Sequence, residues 1–159
     1  MTIGSEVRHV AISDCEQIHP GRIAQPANTL SSLGFVVAAF PIARAARRRR
    51  RPVWLAVAAA TAVEGIGSAA YHGPGGRASK RLHDGGLVAL VATLGMALAS
   101  EGRPTPRRPR TAVLAAAAVA LHALSRTGGP LCSCRSPLQG HAVFHLLAAA
   151  ALATAAEGR

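Results

Sequence analysis

Aromatic side chains are scarce. Three Phe, one Tyr and one Trp make up 3% of the 159 residues, so a water-soluble core would lack its usual large fillers. Acidic residues are few as well, 7 Asp+Glu against 18 Lys+Arg, which leaves a formal net charge of +11. Three cysteines, Cys15, Cys132 and Cys134, are too few for a disulfide scaffold. The first 26 residues are polar, with Glu6, Asp14 and Glu16, and contain no apolar run, so no cleavable signal peptide is expected. A basic surplus of this size usually raises nucleic-acid binding. Here the arginines sit in two short clusters between apolar runs, not along a face interleaved with aromatics. No nucleic-acid partner is therefore expected, and the clusters read as topology signals and contacts with anionic lipid heads.

What the chain does have is apolar length. Half of it is AVILMFWYC, mostly Ala with Leu and Val. Five spans follow, at 29–46, 53–71, 82–100, 111–125 and 139–156. All are near or somewhat below the roughly 20 residues needed to cross the hydrocarbon core, and the fourth, covering about 22 Å, is the weakest. A soluble Ala-rich bundle is the competing architecture, but 53–62 and 87–99 carry no charge on any face, whereas a soluble bundle helix needs a polar stripe. Arg51-Pro52, Gly73-Pro74-Gly75-Gly76, the segment from Pro104 to Pro109, and Gly128-Gly129-Pro130 mark the connections. The expected architecture is all-α: a polytopic membrane bundle of about five transmembrane helices over 27–156, preceded by an N-terminal segment, 1–26.

The basic residues orient that bundle. Arg44, Arg47, Arg48, Arg49, Arg50 and Arg51 flank the first connection, and Arg103, Arg107, Arg108 and Arg110 the third. They outweigh Arg77, Lys80 and Arg81 in the second and Arg126 and Arg135 in the fourth. Odd loops should then be cytoplasmic, with the N-terminus outside and the C-terminus inside. The Ala, Arg, Gly and Pro bias suits a G+C-rich bacterial genome, hence a bacterial cell membrane. This orientation, built from arginines alone, gathers Cys15, Asn28, Ser68, His72, Asp84, Cys132, Cys134, His141 and His145 at the outer end.

Metal chemistry is the natural reading of that gathering. Glu64, Ser68 and His72 are spaced i, i+4, i+8 along one stripe of the second span. His141 and His145, at i, i+4, can reach a single ion from one helix, and His72 supplies a third imidazole. Asp84, two residues into the third span, lies at the same depth. His9, His19 and His122 read as partly exposed polar residues near helix ends. Ionisable groups inside membrane spans are costly and mostly functional.

The stretches Asp14-Cys15-Glu16, Asn28-Thr29-Leu30-Ser31-Ser32-Leu33-Gly34-Phe35, Gly67-Ser68-Ala69-Ala70-Tyr71-His72, Leu82-His83-Asp84 and Gly140-His141-Ala142-Val143-Phe144-His145 resemble the alkaline ceramidases. More broadly they resemble the membrane hydrolase superfamily that includes progestin and adipoQ receptors and haemolysin III-like proteins. The resemblance implies Zn2+ on His72, His141 and His145, with Ser68 and Asp84 as catalytic groups around the attacking water. It implies hydrolysis of an amide bond in a long-chain, ceramide-like membrane lipid, with Asp84 as general base and then proton donor. In that family the N-terminal acidic segment binds calcium, which makes Asp14 and Glu16 candidate Ca2+ ligands, although Gln25 stands where a second Glu is expected. Glu64 lies outside the family pattern and is a candidate accessory polar group. The family also ties its N-terminal segment to the loop before its last helix. Together with the oxidising outer compartment and the strain of bridging Cys132 to Cys134, this points to a disulfide from Cys15 to Cys132 or Cys134. A non-catalytic, metal-stabilised sensor or scaffold is the alternative function.

Overall fold

A computed structural model describes residues 12–101 and 109–158. Glu6, His9, Arg103, Arg107 and Arg108 lie outside the described residues, as does the start of the 1–26 segment. The described residues form five helices, α1 (Pro26–Arg48), α2 (Pro52–His72), α3 (Arg77–Ser100), α4 (Pro109–Leu124) and α5 (Gly140–Glu157), and no strand. Three of them open on proline, Pro26, Pro52 and Pro109, where the missing N–H has no helical partner to lose. α1, α2, α3 and α5 are long and apolar enough to cross the hydrocarbon core. The chain is a polytopic membrane helix bundle. α4, at 16 residues, is the short member.

Outward-facing apolar side chains fit that setting. Val37, Phe40, Val88 and Val113 are each about two-thirds exposed, which lipid covers at no cost. Where two helices meet, the core is built from small residues, as lipid-embedded packing requires. Gly67 of α2 lies so close to α3 that an added Cβ would stand 2.8 Å from the backbone nitrogen of His83. Gly86 of α3 repeats this against Glu64 of α2, 2.9 Å from its Cα.

The helices pack in series. α2 lies between α3 and α1, and α5 lies between α1 and α4. α3 and α4 thus stand at the two ends of the series. The end of the bundle at the α1–α2 connection is tied by Arg51, whose guanidinium donates to the carbonyls of Ala156 (3.2 Å) and Gly158 (3.3 Å) and pairs with Glu101. Trp54 Nε1 donates to Glu101 Oε1 at 2.8 Å.

At the opposite end the N-terminal segment is stitched across the bundle. Gln17 N–H donates to Cys134 O, Ala24 N–H to Gly73 O, Gln25 N–H to His72 O and Thr127 N–H to Ser13 O. Glu16 accepts the N–H groups of Ala27 (2.7 Å) and Asn28 (2.8 Å) on its two carboxylate oxygens. These are orphan donors of the first turn of α1, where a carboxylate also meets the positive end of the helix dipole.

Candidate metal centre

His72, the last residue of α2, and His141 and His145, in the first turns of α5, converge at the stitched end of the bundle. One ligand nitrogen from each lies within 4.8 Å of the other two. All three are buried, at 1%, 7% and 2% exposure, and their ring centroids stand 4.4 to 5.4 Å apart.

Hydrogen bonds fix which nitrogens face inward. Gln25 Nε2 donates to the Glu16 carbonyl at 3.3 Å, which turns Oε1 toward His72 Nδ1 at 2.7 Å. A carbonyl oxygen only accepts, so His72 carries its proton on Nδ1 and keeps a lone pair on Nε2. Ser31 commits its hydroxyl hydrogen to Asn28 O at 3.1 Å, so its oxygen accepts from His145 Nδ1 at 2.9 Å. His145 is left in the same tautomer. Neutral imidazoles oriented through their second nitrogen are the donor chemistry that zinc takes, so the residues present fit the ion that the resemblance implies.

Other expected site residues fall in different places. Ser68 is fully buried one turn below His72, and its hydroxyl meets Ser32 Oγ at 2.9 Å. Ser32 donates to Asn28 O, so Ser68 donates to Ser32, in the layer behind His145. Asp84 is exposed and pairs with Lys80 at 2.5 Å on the i, i+4 face of α3. Asp14 is buried, with Oδ2 3.6 Å from His141 Nε2. Glu16 caps α1. Asp14 and Glu16, the candidate calcium pair, therefore have different neighbours, and among the described residues neither belongs to a cluster of three metal-donor groups. Glu64 pairs with His83 Nδ1 at 2.8 Å.

Sequence reasoning missed Gln25, Ser31 and Ser32 as ring-orienting partners, because only the fold brings them to the histidines. His122 is half-buried near the end of α4, as expected, with its ring 4.7 Å from that of Phe144 and 5.4 Å from that of His141.

Through His141 and His145 the centre borders a cavity of about 1140 Å³, lined mainly by α3, α4 and α5. Asp14, His83, Asp84, His141 and His145 line its histidine end, and Leu98, Glu101 and Thr111 its opposite end. Leu87, Val91, Leu94, Val119 and Leu152 make its walls largely apolar.

Beside the centre, Cys15 and Cys132 are joined by a disulfide that closes a sequence separation of 117 residues. Cys134 Sγ lies 3.7 Å from Cys15 Sγ and 3.8 Å from Cys132 Sγ. In Cys132→Ser, Cys15 is expected to pair with Cys134 instead, since that thiol already touches it. Non-reducing peptide mapping checks this, and a free Cys15 thiol in that variant contradicts it.

Comparison of the chain with family models, with curated proteins and with solved structures gives no match in any of the three.

Proposed function

We propose that this protein is a zinc-dependent intramembrane hydrolase that cleaves the amide bond of a long-chain, ceramide-like lipid, as its resemblance to alkaline ceramidases implies. One observation carries the reading: three buried histidines, two with their Nδ1 atoms already committed to Gln25 and Ser31, stand together, and two of them, His141 and His145, line a largely apolar cavity. His72, His141 and His145 would hold the ion. Bound there, zinc supplies Lewis-acid activation of water near neutral pH.

The chain's own residues supply the rest. The walls of α3, α4 and α5 receive the hydrocarbon chain and exclude bulk water from its length. Asp84, which lines the cavity and pairs with Lys80, takes the proton of the attacking water. Ser68 and Ser32 brace the layer that keeps His145 in register. The arginine distribution supports an outer-facing centre, with the N-terminus outside and the C-terminus inside.

The decisive experiment is mass spectrometry of products. Purified, zinc-loaded protein given a panel of N-acyl amine lipids should release fatty acid and amine in equal amounts, and a chelator should stop it. A protein that retains zinc and releases neither product with any of them would favour the sensor or scaffold reading. Asp84→Asn should keep the zinc and lose turnover about 100-fold or more, because an amide cannot take the proton at neutral pH. Equal rates in mutant and parent would remove Asp84 from the mechanism. For orientation, a membrane-impermeant thiol reagent applied outside should label Cys at position 75 and miss Cys at position 49, in a background lacking Cys134. The reverse pattern would put the centre in the cytoplasm.

A further inference from the structure

The cavity holds a second pair of polar groups, apart from the three histidines. Glu64 sits within α2, its side chain 5% exposed, with Oε1 2.8 Å from His83 Nδ1 on α3. A carboxylate buried in a membrane span is expensive and rarely incidental. Among the described residues its Oε2 is buried without a hydrogen-bond partner, and Gly86 makes the room for it, since a Cβ there would lie 2.8 Å from that oxygen. The ring of His83 stacks on Tyr71 at 5.4 Å and 16° between planes, and 22% of its side chain stays accessible. Glu64, Tyr71 and His83 all line the cavity that His141 and His145 head.

A tether between helices does not account for this arrangement. Gly67 and Gly86 already bring α2 and α3 into close contact without an ion pair. A tether also has no use for an unsatisfied oxygen or for a partner ring left open to the cavity. An imidazole held through Nδ1 by a carboxylate presents Nε2 from its opposite edge, the arrangement in which a histidine exchanges protons with a substrate.

Resting on the hydrolase reading, we propose that His83 is a catalytic residue that protonates the leaving amine, and that Glu64 is its positioning residue. Hydrolysis joins the oxygen of water to the acyl carbon and breaks the C–N bond, leaving the nitrogen one proton short of a neutral amine. His83 gives that proton from Nε2 as the imidazolium, and is left as the neutral imidazole with its remaining N–H on Nδ1 toward Glu64. The proton that Asp84 removes from the water returns to His83, the preceding residue in the chain. Amide and water thus become acid and amine, with both side chains restored. The proton acceptor and the proton donor are then two groups, so the exposed, Lys80-paired Asp84 need not serve as both.

The test compares zinc-loaded, full-length parent, His83→Ala, His83→Gln and Glu64→Gln with a fluorescently acylated sphingosine as probe. His83→Ala should lose about 100-fold or more in kcat, keep its zinc and KM, and regain part of the rate with added imidazole. His83→Gln, which keeps a similar bulk but is no acid, should show the same loss if the alanine variant does not fold. Glu64→Gln should lose roughly 10- to 100-fold, the range for a group that orients another, and gain nothing from imidazole. Parental turnover in His83→Gln would overturn the proposal alone. A rate loss that tracks loss of zinc or of folded protein, without imidazole rescue, would also overturn it by making the pair a tether. A zinc-loaded parent that hydrolyses no N-acyl lipid would overturn the hydrolase reading and this assignment together.

Discussion

Replacing His145 with alanine is expected to strip the protein of its metal. Parent protein should carry about one zinc per chain, and His145→Ala close to none at submicromolar free zinc. Two imidazoles, His72 and His141, remain, and a two-ligand site holds zinc poorly. The loss should exceed about 100-fold in affinity, because even an outer partner of a ligand is worth 10- to 100-fold. Gln25→Ala supplies that lesser case. It removes the acceptor that fixes the His72 tautomer, so the ring can turn its lone pair away from the centre. The two variants should rank in that order by chelator competition, with His19→Ala, at an exposed position, unchanged. Full zinc occupancy in His145→Ala would remove the three-histidine centre and every role built on it. Metal that binds the folded chain should also raise its unfolding temperature, and His145→Ala should lose that increment.

Cutting the disulfide should have the second largest effect, this time on stability. Cys15→Ser opens a loop spanning 117 residues, worth at most about 4–5 kcal/mol in the chain-entropy picture. Membrane insertion already restricts the chain between those ends, so the measured loss should fall below that ceiling. Cys15 neighbours Asp14 and Glu16, which places three other contacts at stake. Glu16 caps α1, its backbone carbonyl orients Gln25, and Asp14 stands beside His141. The serine variant should therefore lose zinc affinity along with thermal stability. Cys134→Ser, which leaves the bridge intact, should lose neither. A Cys15→Ser protein that melts and binds zinc like the parent would show that the hydrogen-bonded stitching alone holds the segment in place.

Much of the architecture was legible because apolar length in a membrane protein is written directly into the sequence. The five spans correspond to the five helices, and the weakest of them, 111–125, is the short α4. The ends were less legible. α3 begins at Arg77, five residues ahead of the apolar run at 82, because Arg77-Ala78-Ser79-Lys80-Arg81 forms a polar first turn that hydropathy does not register. The histidine trio was visible as an i, i+4 pair plus a third histidine at the same depth. Its supporting layer was not. Gln25 and Ser31 are ordinary polar residues in sequence, and they acquire a role only when α1 is laid against α2 and α5. Asp84 is the converse case. Depth put it near the centre, but its direction around α3 depends on packing, and it lines the cavity in an exposed pair with Lys80 four residues earlier. The Glu64–His83 pair joins two helices across 19 positions, a spacing with no local signature.

On the hydrolase reading proposed above, the series of helices that begins at α3 and ends at α4, with the cavity reaching both, would have a kinetic consequence for a lipid substrate. Such a molecule would arrive sideways through a slot in the bundle wall, having never left the bilayer. Its relevant concentration is then two-dimensional, a mole fraction among neighbouring lipids. Adding inert lipid or detergent at constant total substrate would slow turnover by surface dilution. Doubling the volume of buffer around the same membranes would leave each protein working at the same pace.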